Sequence, residues 1–183
     1  MLKQVQHDGM EMQRFKTIVL AISASLALSA CGLQPMYAGG STSAVAQGLS
    51  AVDVPAIPGR DGWLVRNALQ NRFGVAGETS PAYRLDVRLD DALEALGVLN
   101  DDTISRERRI LRARYQLIDL ATGEILLDAT AGADAGIDVV SSEYATIAAE
   151  QTALENLAKE VADRMATRIA LTLRDHTNGQ TSQ

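Results

Sequence analysis

The chain has 183 residues and a formal net charge of −6. That acidic balance argues against general nucleic-acid binding, although a local basic cluster can still hold an anion. A single cysteine excludes an internal disulfide and a cysteine-based metal site, and the two histidines, His7 and His176, leave little material for a triad or a His-ligated zinc.

Residues 17–30, TIVLAISASLALSA, are apolar or small and uncharged, with Arg14 and Lys16 just before them. The run is too short for a spanning helix, which needs about 20 apolar residues, and its small C-terminal residues suit cleavage. Residues 1–30 are therefore expected to be a secretory signal peptide, with Met10 or Met12 as the alternative start. Leu28-Ser29-Ala30-Cys31 resembles the bacterial lipobox, in which the cysteine is acylated and becomes the first residue of the mature protein. Lipidation is the expected role of Cys31, since several acyl chains on one residue give the stable anchoring that one chain does not. Gly32 rather than Asp follows Cys31, so outer-membrane sorting is the expectation.

Residues 31–50 contain GGSTSAVAQG, small and uncharged, and read as a flexible tether leading to a single domain over 51–175. Within that domain, 51–57 (AVDVPAI) is a short strand held to an edge or cut short by Pro55. Asp61 caps a helix over 62–73 with Leu64, Val65, Ala68, Leu69 and Phe73 on one face, and Gly74 stops it. Residues 83–90 (YRLDVRLD) alternate strictly and form a half-buried strand, with Arg84, Asp86, Arg88 and Asp90 on the wet face. Residues 92–99 stay open between strand and loop, and Asn100-Asp101-Asp102 is a turn signal. Residues 103–120 alternate again, burying Leu111, Ala113, Tyr115 and Leu117. A turn at 121–124 leads to a third alternating strand over 125–131, so the two form a hairpin.

Residues 142–173 form a long amphipathic helix capped by Ser142, with Tyr144, Ile147, Gln151, Leu154, Ala158, Val161, Met165 and Ile169 along one stripe. Residues 176–183 read as a disordered tail. The expected fold is α+β: a two-layer sandwich of two helices on one face of a mostly antiparallel four-stranded sheet.

The segment CGLQPMY carries a family resemblance. Cys31, Gly32, Pro35 and Tyr37 match the start Cys-Gly-Phe-x-Pro-Leu-Tyr of LptE, the LPS-assembly lipoproteins, while Leu33 and Met36 are apolar substitutions. The order strand, helix, three strands, long helix is similar too. The resemblance implies a non-enzymatic outer-membrane lipoprotein without a cofactor, facing the periplasm. It would plug the barrel LptD, assist its assembly and engage lipopolysaccharide on its way to the outer leaflet. A second reading is an auxiliary lipoprotein of a phospholipid or ABC transport system, distinguished by its partner.

SRERRILRARY, residues 105–115, holds Arg106, Arg108, Arg109, Arg112 and Arg114. Guanidinium groups pair bidentately with phosphates, so this stripe is the candidate site for LPS phosphates, with Arg106, Arg108 and Arg109 as the best-placed three. The competing reading pairs Arg112 and Arg114 with Asp86, Asp90 or Asp128 across the sheet. Asp90-Asp91 and Asp101-Asp102 lack calcium-loop spacing, and neither gives a case for catalysis. Trp63 is open between an interface anchor and a core or rim position.

Overall fold

The computed structural model describes residues 44–74, 80–98 and 104–181. The leader, Cys31 and its family motif, and Asp101-Asp102 lie outside the described residues. Seven elements follow in chain order: α1 (Ala44–Ser50), β1 (Val52–Asp53), α2 (Gly59–Phe73), β2 (Tyr83–Val98), β3 (Ile104–Asp119), β4 (Ile125–Asp138) and α3 (Glu143–Thr181).

The sheet order is β1-β2-β3-β4. β1 lies parallel to β2, a connection that needs a crossover, and α2 supplies it. The other two pairs are antiparallel, running from Tyr83↔Asp119 to Val98↔Ile104 and from Arg106↔Asp138 to Ile118↔Ile125. The α+β class and the mostly antiparallel four-stranded sheet are as expected. Among the described residues the helices number three instead of two.

Pro55 has no N–H to give a ladder, and β1 indeed stops at Asp53 rather than running to residue 57. Val54 and Ile57 are nevertheless buried. The Val54 carbonyl accepts a bond from Arg66 Nε at 2.9 Å, so a helix side chain replaces the missing strand partner. α2 begins three residues earlier than expected, with Pro58 rather than Asp61 at the cap; Asp61 lies in the first turn, where a carboxylate favours the helix dipole. Gly62 is buried beneath the segment before α2, and a Cβ there would lie 2.5 Å from the Ile57 carbonyl oxygen. Gly74 ends the helix at φ +84°, its N–H bonding the Gln70 carbonyl at 3.1 Å.

β2 continues through the stretch left open by its sequence, and β4 runs to Asp138 rather than Ala131. Alanine and glycine are poor strand formers in isolation. Here Ala129, Ala131, Ala133 and Ala135 are held opposite Tyr115, Ala113, Leu111 and Arg109 of β3, with α3 packed on β4.

α3 spans 39 residues. The Ser142 hydroxyl accepts from the Ala145 N–H at 3.4 Å, the expected cap. The buried stripe begins at Ala153 and continues through Leu154, Leu157, Val161, Met165, Ile169 and Leu173. Tyr144 and Ile147, placed on that stripe by their spacing, are 84% and 44% exposed. They precede the stretch that α2 reaches, which starts near the Arg60–Glu155 pair at 3.7 Å.

Two further expectations are corrected. The tether gives way at Ala44 to α1, whose Leu49 is buried and whose Gly48 lies against Leu173; burial against α3 holds a segment too short to be a stable helix alone. At the other end α3 continues through Thr181, so residues 176–181 are helical, with His176 half-buried.

Candidate functional site on the outer sheet face

Strand alternation divides the five arginines of β3 between two faces. Arg106, Arg108, Arg112 and Arg114 are exposed, while Leu111, Ala113, Tyr115 and Leu117 between them are buried beneath the helices. Burial also pushes the Tyr115 phenol above its ordinary value. Arg109 shares the parity of the buried set. Its Nε and Nη2 donate to the two Asp91 carboxylate oxygens at 2.9 and 2.5 Å, and its Nη1 donates to the Glu150 carbonyl of α3 at 3.1 Å. The Asp91 bond raises the Arg109 pKa. Arg109 therefore joins β2, β3 and α3, and it does not stand with the other four arginines.

On the outer face β4 answers β3 with aspartates. Arg106 meets Asp138 at 3.1 Å and Arg108 meets Asp134 at 3.0 Å. Arg114 reaches Asp128 at 3.2 Å, and Gln116 donates to the same carboxylate at 2.8 Å. These bonds, that from Arg114 first, hold the Asp128 carboxyl below its ordinary range. The pairs are well exposed, so each contributes little to stability and is weakened by salt. The cross-strand reading thus holds for Arg114.

Arg112 differs from these. Asp90 is its direct partner in the β2–β3 register, yet no ion pair joins them among the described residues. Arg88, opposite Arg114 on β2, likewise has no carboxylate partner among the described residues. Arg88 was missing from the arginines singled out by sequence, although the alternation of YRLDVRLD already puts it on this face. Arg88, Asp90, Arg112, Arg114, Thr130 and Gly132 surround a shallow hollow of about 540 Å³. A second hollow of about 460 Å³ shares Arg88 and Arg114 and is bordered by Pro55, Ala56 and Ile57. The combination of forked donors and an open floor suits an oxyanion.

Asp90 and Asp91 point to opposite faces, and Asp91 is committed to Arg109, so they do not form a carboxylate pair. Among the described residues no three His, Cys, Asp or Glu side chains gather as metal ligands, and no helix is long and apolar enough to cross a membrane. Trp63 is 61% exposed on α2, a surface rather than a core position.

The LptE family profile, described as lipopolysaccharide-assembly, matches residues 49–169. None of the curated proteins matches the chain. A solved lipoprotein structure from Caulobacter crescentus CB15 is similar at 24% identity and a TM-score of 0.59, covering 71% of this chain and 96% of that one. A minor lipoprotein from Acinetobacter baumannii is similar at 15% identity and a TM-score of 0.50, covering 66% and 88%. At these identities the two structures speak for the fold alone.

Proposed function

Since the chain belongs to the LptE lipopolysaccharide-assembly family, we propose that it is an outer-membrane lipoprotein, anchored through acylated Cys31, that sits in the lumen of the barrel LptD. There it assists assembly of the barrel and engages lipopolysaccharide on its way to the outer leaflet, without catalysis. The observation that carries this reading is the family match across α2, the whole sheet and most of α3.

The surface is compatible with that place. A barrel lumen is polar, and the outer sheet face offers paired arginines and aspartates rather than an apolar sheet side. Acyl chains on Cys31 would keep the domain close to its barrel, raising its effective concentration and lowering the entropic cost of association. The contact with lipopolysaccharide is assigned to the outer arginines of β3 that line the hollow, Arg112 and Arg114, whereas Arg106 and Arg108 pair with Asp138 and Asp134. Arg109 contributes by fixing β3 to its neighbours.

The test is co-purification of a C-terminally tagged, membrane-extracted chain with identification of stoichiometric partners. A large β-barrel in a one-to-one complex is expected. A transporter component instead of a barrel would overturn the proposal in favour of an auxiliary lipoprotein of a phospholipid or ABC system.

A further inference from the structure

The outer arginines differ in what already neutralises them. Arg106 and Arg108 are matched to Asp138 and Asp134 of β4. Further along the same face Arg88 and Arg114 are direct cross-strand partners, and like charges in that position repel. Arg114 commits Nε and Nη2 to Asp128, which leaves its Nη1 edge available. Arg88 and Arg112 have no ion pair among the described residues, so the hollow beside Thr130 and Gly132 is lined by three guanidinium groups, of which Arg114 alone is paired, with Asp128, and by the single carboxylate of Asp90.

The floor of that hollow is formed by small residues. Gly132 lies directly opposite Arg112 on β4, and a Cβ added there would come within 3.3 Å of the Arg112 Cγ. A side chain at 132 would therefore push against the arginine stem and fill the space beneath the guanidinium. Arg88 and Arg114 also border the second hollow, which extends towards Pro55 and gives room beside the cationic centre for the body of a ligand.

We infer that Arg88, Arg112 and the free edge of Arg114 form a phosphate subsite that takes the phosphomonoester of an amphiphile, while Arg106 and Arg108 remain structural ion pairs. A phosphate supplies several acceptor oxygens to forked donors and neutralises the opposed Arg88 and Arg114. The subsite rests on the lipopolysaccharide reading above only for the identity of the carrier molecule. The cationic hollow itself is independent of it.

The test titrates the full-length, detergent-purified protein with three probes: bisphosphorylated lipid A, the same glycolipid after enzymatic removal of its phosphates, and inorganic phosphate. The variants are Arg88→Gln/Arg112→Gln and, as a control, Arg106→Gln/Arg108→Gln. The first pair should weaken binding of phosphorylated lipid A at least tenfold, leave the dephosphorylated lipid unchanged and leave the thermal midpoint undiminished. The control pair should change binding less than twofold. Loss in the control pair with normal binding in the first pair would overturn the subsite and leave the lipopolysaccharide reading standing. Inorganic phosphate bound through Arg88 and Arg112 while neither glycolipid binds would support the subsite and overturn the lipid as its source. Failure of the wild-type protein to bind any of the three would overturn both.

Discussion

Arg109 is the arginine whose removal should be felt by the fold. Its side chain is 17% exposed and that of Asp91 21%, so the pair is largely shielded, and a third bond reaches the α3 backbone. Arg106 has the same chemistry at 65% exposure. The difference lies in solvent: a shielded carboxylate that loses its partner keeps its desolvation cost, whereas an exposed one returns to water. Arg109→Met should therefore lower the unfolding free energy by about 2 kcal/mol. Arg109→Met/Asp91→Leu, which removes both charges, should recover most of that loss. Denaturant titrations of the two variants and the parent chain check this, and an equal loss in the single and double variants would contradict the assigned clamp.

At the scale of elements, what was legible in the sequence depended on side chains that announce their own face. The alternation of YRLDVRLD and the buried set Leu111, Ala113, Tyr115 and Leu117 placed β2 and β3, and the spacing from Leu154 to Ile169 placed the packed part of α3. Parity also separates Arg108 from Arg109, and the contacts with Asp91 and Glu150 show what Arg109 holds. The second half of β4 had no such signal, because alanine and glycine state no strand preference; pairing with β3 and cover from α3 decide it. α1 was hidden for a similar reason, since a segment of small residues becomes helical by burying Leu49. The aspartates that neutralise Arg106 and Arg108 lie on that same half of β4, so their pairing waited on its register.

The alanines of β4 also predict a stability effect. Ala133 is 7% exposed opposite Leu111, in the strand against which α3 packs, and the Arg164 guanidinium of α3 donates to the neighbouring Gly132 carbonyl. Small side chains allow that close approach. Ala133→Leu should overpack the seam and lower stability by about 1–3 kcal/mol. A thermal or denaturant melt reads the effect, and a variant as stable as the parent would show that the helix is not held close to β4.

For the whole molecule, the two layers divide the work. The helices and the inner sheet face enclose the apolar core, leaving an outer sheet face on which charge is mostly paired within the protein. Such a surface can enter a polar, confined space without leaving a large excess of one sign, while the hollow at Arg88 and Arg112 keeps the least neutralised part of the face for an anion. On the opposite layer Trp63 and Lys159 are exposed on α2 and α3, and Thr122 is exposed at the β3–β4 turn. A domain enclosed by a barrel has to meet it from all of these directions, whereas a domain resting on a barrel's rim meets it from one side.

The decisive measurement is photocrosslinking in intact cells from single probes at Thr130 on the outer sheet face, Trp63 and Lys159 on the helical layer, and Thr122 at the turn. Seating within the LptD lumen predicts crosslinks to the same barrel from both layers. Crosslinks confined to one layer, or to a protein other than a β-barrel, would contradict it.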